Sequence, residues 1–312
     1  MIELESLAKN YGEIEALRGI STSIGRGEIV GLLGPNGAGK TTAMKILVGY
    51  LLPTAGSARV DGVDVIEDPI AVQQRIGYLP ENAPIYGDML VQEYLRYVAD
   101  LRGLDVSTGR RRILEAADHC AVTGVLTRSV GHLSKGFRQR VGLAAAILHD
   151  PEIVILDEPT NGLDPNQIVE VRELIREMGR TKTVIVSTHI LPEVEASCNR
   201  AVILIDGLIR ADGGLDELTH SRVQVVSVAS GDPAEAGRLF ERVAGVARVE
   251  HAGSDARFHT YRLHLGEDRE VGEEVFEAAR QKGWPLRELR RDDKTLEQVF
   301  RELTESGAEV HA

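Results

Sequence analysis

The 312-residue chain has two cysteines, one tryptophan and only 4% aromatic residues, and its apolar runs are short. Cys120 and Cys198 stand far apart, which offers neither a disulfide framework nor metal-ligand spacing and suits a reducing compartment. With few aromatics the core must be built from Val, Ile, Leu and Ala, which favours buried parallel strands packed by helices. Apolar stretches such as Val202 to Ile205 fall far short of the ~20 residues a membrane-spanning helix needs. The opening MIELESLAKNYG shows no basic segment followed by an apolar one, so the sequence reads as neither secreted nor membrane-spanning. Positive charge is not in excess either: 36 Lys and Arg face 48 Asp and Glu, a net charge of −12. That balance excludes a protein that coats nucleic acid by bulk electrostatics, though not a local basic groove. No repeat or low-complexity tract occurs.

What is present, 43% hydrophobic and 27% charged residues, describes a globular chain of one large domain or two modest ones. EIVGLLG from Glu28 is a short apolar run ending in glycine, and GKTTAMKILVGY continues with helical spacing. This reads as strand, glycine loop, helix. EIVILDEP, TVIVSTH and AVILIDG supply further strands separated by helical segments, the alternation of a parallel α/β sheet. Between the glycine loop and EIVILDEP, about residues 82–149, QEYLRYVADL, GRRRILEAADHCAV and FRQRVGLAAAIL are helical in period, which predicts a helical subdomain inserted into the sheet. Paired glycines in ADGGLDELTHS mark a boundary. The expected division is residues 1–220 and 222–312, the second part alternating as strand, helix, strand, strand, helix, strand with a helix appended. That is the order of a small α+β ferredoxin-like module.

Gly34, Pro35, Asn36, Gly37, Ala38, Gly39, Lys40 and Thr41 fit the phosphate loop G-x-x-x-x-G-K-[ST], in the required setting of strand before and helix after. Glycines let backbone N–H groups converge on phosphate, and the next helix adds its positive end. Lys40 is placed to reach the β- and γ-phosphates and Thr41 to put a hydroxyl on Mg²⁺, with Thr42 beside it. Asp157, closing the run IVIL, is the Mg²⁺-side carboxylate of such a site. Glu158 directly after it is the candidate general base, set against a plain acidic pair capping a strand. His189, at the end of VIVSTH, could reach the γ-phosphate or the attacking water, although a lone histidine at a strand end is more often structural.

Together these residues resemble an ATP-binding cassette, the nucleotide-binding subunit of an ABC transporter. Leu133-Ser134-Lys135-Gly136-Phe137 resembles the family's signature, commonly LSGGQ. Asn161-Gly162-Leu163-Asp164 resembles the D-loop, His189 the switch histidine, and Tyr11 the aromatic residue that stacks on adenine. Phrases such as GYLPENAPIYGDM and LDEPTNGLDPNQI look like gliding-motility-type ATPases that partner exporter-type permeases. The resemblance implies a P-loop NTPase (RecA-like) cassette that binds ATP with Mg²⁺. It implies catalysis through Glu158, His189 and Lys40, and Ser134 and Gly136 offered to the nucleotide of a facing cassette, which is a second copy or a paralogue. It further implies a separate polytopic permease, a position at the cytoplasmic face of the membrane, and no nucleic-acid partner.

Three positions depart from the family pattern: Glu81, and Lys135 and Phe137 in the signature. Glu81 stands where the family has Gln, keeping an acceptor for Mg²⁺ but losing the amide donors. Lys135 adds a cation to the signature, facing either the partner's nucleotide or solvent. The segment Pro84 to Leu90 is the candidate docking surface for the permease, against ordinary loop packing. A P-loop kinase needs neither the signature nor the D-loop, and soluble ABC proteins of translation or DNA repair carry paired cassettes or a long coiled coil. In the last ninety residues, His251, His259 and His264 lack recognised ligand spacing, and Arg287, Arg290, Arg291, Asp292 and Asp293 read as a solvated mixed-charge face.

Overall fold

The computed structural model of the chain describes residues 2–266 and 269–308. The chain opens with the hairpin β1 (Ile2–Tyr11) and β2 (Ile14–Ile24), then β3 (Ile29–Leu33), α1 (Lys40–Leu47), β4 (Ala55–Val60), β5 (Val63–Asp64), α2 (Pro69–Arg75) and β6 (Ile76–Leu79). A helical stretch follows: α3 (Val91–Leu101), α4 (Val106–His119) and α5 (Lys135–Ile147). Alternation resumes with β7 (Ile153–Asp157), α6 (Pro165–Gly179), β8 (Thr183–Thr188), α7 (Leu191–Ser197), β9 (Arg200–Ile205) and β10 (Leu208–Gly214). Then come α8 (Leu215–Thr219), β11 (Val223–Val228), α9 (Pro233–Phe240), β12 (Val246–Asp255), β13 (Phe258–Leu265), α10 (Gly272–Gln281), β14 (Leu286–Arg291) and α11 (Leu296–Ala308). Contacts divide the chain into two compact units: residues up to Leu215 joined by the chain from Leu303, and Asp216–Glu302.

The first unit is organised by a six-stranded sheet of order β10-β9-β3-β8-β7-β6. All its neighbours run parallel except the antiparallel edge strand β10. Every residue of β7 and β8 is buried, because both faces of these strands are covered and Val and Ile satisfy both. The two-residue period sorts them cleanly. Val154, Leu156, Val184 and Val186 pack into a core shared with the helical stretch. Ile153, Ile155 and Ile185 enter a second core with α1 and the N-terminal strands. Burying each such side chain contributes roughly 1.5–3 kcal/mol.

Between β6 and β7 the described residues form only helices, turns and an isolated bridge from Leu90 to Ser129, so the helical insertion is present. A second, antiparallel sheet of order β2-β1-β4-β5 is absent from the sequence expectations. Its period-two signal is broken by register shifts within β1, where bulges displace the alternation.

The second unit is a four-stranded antiparallel sheet of order β12-β13-β11-β14, with α9 and α10 placed as in a ferredoxin-like fold. Its core gathers Val226, Val228, Phe240, Tyr261, Leu263 and Val275; the Tyr261 hydroxyl donates to Pro233 O at 2.8 Å. α10 begins at Gly272, later than the helix expected from EDREVGEEV; Glu267 and Asp268 of that segment lie outside the described residues. His251 and His259 share the Ser254 hydroxyl at 3.2 and 2.7 Å, and His264 meets Glu250 at 3.3 Å. Among the described residues no three potential metal ligands converge.

Candidate nucleotide-binding and catalytic site

The parallel order brings the C-terminal ends of β3, β7 and β8 side by side, where ligands of open α/β sheets bind. The loop after β3 ends at Gly39, the N-cap of α1, with φ 105°. A Cβ there would stand 2.5 Å from Ala16 O, so both the backbone conformation and the close approach require glycine. The resulting cavity, about 290 Å³, is lined by the loop from Asn36 to Thr42 with Ala16, Glu81, Glu158, Asn161 and His189.

Lys40 is 6% exposed. Its Nζ donates to Gly34 O at 2.7 Å and Pro35 O at 3.2 Å, and lies 3.8 Å from Glu158 Oε1. Burial holds the ammonium below its usual pKa, while the carboxylates of Glu158, Asp157 and Glu81 oppose that shift. Asp157, at the end of β7, accepts through Oδ1 from Ser187 Oγ at 2.5 Å and Thr41 Oγ1 at 3.2 Å. Its Oδ2 is buried with no protein partner. A carboxylate oxygen left unpaired beside a threonine hydroxyl is a hard donor set suited to Mg²⁺.

Glu158 adopts φ 48°, a left-handed conformation costly for a residue with a Cβ and concentrated at functional sites. Its N–H donates to Ser187 Oγ at 3.0 Å and to Ser187 O at 3.2 Å, which holds the strained turn. The carboxylate faces the cavity and meets His189 Nδ1 at 3.1 and 3.0 Å through its two oxygens. Glu81 accepts from Asn161 Nδ2 at 3.1 Å, linking the loop after β6 to the turn after Glu158.

The phosphate-loop residues Gly34 to Thr42, Glu81, Asp157, Glu158 and His189 are therefore brought together. The others stand apart. Tyr11, at the end of β1, is 47% exposed with Lys9 Nζ 5.3 Å from its ring, and it does not line the cavity. Ser134 caps α5, accepting from Phe137 N at 3.3 Å. Gly136 packs so closely on α6 that a Cβ would lie 2.5 Å from the Gln167 side chain. Lys135 folds its Nζ against Gly162 of its own chain. No residue of the segment 133–140 lines the cavity.

Sequence reasoning did not single out Ser187, Thr160 or Glu193. Ser187 had a signal, a hydroxyl inside an otherwise apolar strand. Glu193 had none, since a glutamate in the short segment LPEVEAS looks solvent-exposed, yet it is 4% exposed.

This loop, carboxylate pair and sheet order define a P-loop nucleoside triphosphatase. The sequence pattern of the family described as ABC transporter matches residues 17–161. The chain is 35% identical to "Uncharacterized ABC transporter ATP-binding protein YxlF" of Bacillus subtilis over 85% of its own length and 88% of that protein. It is 34% identical to "Nod factor export ATP-binding protein I" of Burkholderia orbicola, over 75% of its own length and 78% of that protein. A solved dimeric ATP-binding cassette in a post-hydrolysis state with ADP and Pi superposes with a TM-score of 0.63 at 25% identity. That match covers 69% of this chain and 99% of the other. The chain belongs to the ABC transporter family as an ATP-binding subunit, and it is an ATPase.

Proposed function

We propose that this chain is one of two cassettes that close on ATP and drive export through a separate membrane permease. The observation that carries this reading is the division of the site. One chain assembles the phosphate loop, Lys40, Glu158 and His189, while Ser134 and Gly136 at the start of α5 lie outside the cavity. A helix start with a hydroxyl at its N-cap suits the terminal phosphate of a nucleotide held by another copy. The dimeric relative and the export-named relative support the pairing and the direction.

In this reading Lys40 exchanges the Gly34 and Pro35 carbonyls for β- and γ-phosphate oxygens. Glu158 orients and deprotonates the attacking water, and its contact with His189 fixes both side chains against the γ-phosphoryl group. Thr41 and Asp157 would hold Mg²⁺, with Glu81 at the edge of that set; the ion supplies charge neutralisation on the phosphate oxygens. Tyr11 would stack on adenine.

The permease would dock on a groove of about 470 Å³ beside the Glu81 loop, lined by Tyr50, Tyr78, Tyr86, Tyr94 and Tyr97. Three of these, Tyr50, Tyr86 and Tyr97, are exposed, as interfaces favour. Ile85 and Met89 turn inward onto the core, leaving Tyr86, 55% exposed, and Asp88 outward. No described helix is long and apolar enough to cross a membrane. Docked on the permease, the cassette would sit peripherally at the cytoplasmic face. Residues 222–312 would serve dimerisation or regulation.

Co-expression with the membrane partner tests this assignment. Tyr86→Ala or charge reversal at Asp88 should leave basal ATPase intact and abolish its coupling to transport. Normal transport by both variants would refute the docking surface.

A further inference from the structure

Glu193, in the first turn of α7, is a buried carboxylate outside the cavity and without a cation among its hydrogen-bond partners. Its two oxygens are taken by two threonines, one in the turn after β7 and one at the end of β8: Oε1 accepts from Thr160 Oγ1 at 2.5 Å, and Oε2 from Thr188 Oγ1 at 2.8 Å. All three residues are at most 4% exposed. Thr160 lies two residues after Glu158, and Thr188 immediately precedes His189. The same Thr188 hydroxyl accepts from Ile190 N at 3.0 Å, and Glu193 N donates to Ile190 O at 3.0 Å. The segment after β8 is thereby folded back on the carboxylate.

We infer that Glu193 is a positioning residue for hydrolysis, a buried clamp that sets Glu158 and His189 relative to each other by holding the turn behind one and the strand end before the other. This rests on the catalytic reading of those two residues. The Glu158 turn has two anchors. Its start is held by the Ser187 contacts to Glu158 N, and its continuation by Thr160 on Glu193, from which Leu163 N donates back to Thr160 O at 3.1 Å. A carboxylate accepting two hydroxyls in a dry environment is a strong, directional tie. Leaving such an ion buried costs stability, and a purely structural need at this place could be met by apolar packing. The clamp touches none of the residues from Asn36 to Thr42, so its loss should act on the chemical step and not on nucleotide capture.

Three side chains of the full chain test this by steady-state ATPase and by ATP titration. Glu193→Gln keeps shape but offers one acceptor oxygen in place of two. It should lower kcat about tenfold, with KM and the ATP Kd within about twofold of wild type. Thr160→Val, which keeps the side-chain shape and removes one end of the clamp, should do the same. Added to Glu193→Gln it should lower kcat by less than a further factor of about two, since both break one tie. If Glu193→Gln does not fold, Thr160→Val and Thr188→Val carry the test alone. Wild-type kcat in Glu193→Gln or Thr160→Val, or a loss confined to KM, Kd or the fraction of folded protein, would overturn the clamp. Glu158→Gln run in parallel separates the two readings. If it hydrolyses ATP normally, the catalytic reading fails; if it is inactive while the Glu193 variant is not, only the clamp fails.

Discussion

In the first unit Lys40, Asp157, Glu158 and Glu193 are each under a tenth exposed, and one oxygen of Asp157 has no partner at all. In the second unit the outer face of the sheet carries Arg262, Arg290, Glu288 and Asp292, which satisfy one another near the surface: Arg262 with Asp292 at 3.3 Å, and Arg290 with Glu288 at 2.7 Å and Asp292 at 2.8 Å. Buried, incompletely paired charge costs stability, so its retention points to chemistry. Exposed pairs contribute about 0–1 kcal/mol each and are readily exchanged. The contrast assigns phosphate chemistry to the first unit and no comparable site to the described part of the second.

Removing charge from each region sharpens the contrast. Lys40→Ala should have the largest effect, weakening ATP binding by about 100-fold or more in a calorimetric titration, because the phosphate loop loses its only buried cation. His149 gives a smaller effect of another kind. Its Nε2 meets Ile76 O at 3.2 Å, and its Nδ1 is buried without a hydrogen-bond partner. Burial first, then the nearby Arg102 and Lys182 charges, push its pKa from 6.5 down to about 4. Since the folded value is depressed, the unfolded chain takes up the proton first. Stability should therefore fall as pH drops from about 6.5 towards 4, by up to about 3 kcal/mol. Urea unfolding across that range should show the slope in wild type and a shallower one in His149→Gln. Arg290→Ala, in the second unit, should change unfolding free energy by only about 0.5 kcal/mol and leave ATPase unaltered. A large loss there would break the contrast between the units.

The phosphate loop, both acidic residues after IVIL and the histidine after β8 were legible because each sits at the end of a short apolar run. Strand ends are where a parallel sheet presents its chemistry. The succession of strands and helices in the second unit was legible for a related reason: turn residues separate its alternating runs. The N-terminal antiparallel sheet was not, since bulges between Leu4 and Ala8 erase its alternation. Nor was Glu193, whose partners Thr160 and Thr188 lie on two other segments of the chain. Such a contact is made by tertiary packing, and no periodicity along one segment encodes it. The closeness of Gly136 to Gln167 was equally hidden, since the motif suggests a nucleotide contact while the fold shows a helix–helix one.

In the proposed mechanism Glu158 is the base. Its most direct test is a paired measurement on Glu158→Gln, ATP affinity by titration and turnover by phosphate release. Near-normal ATP binding is expected, with turnover reduced by about 10²–10⁴ and a closed dimer that accumulates on ATP. Phosphate release at the wild-type rate from that variant would contradict this role.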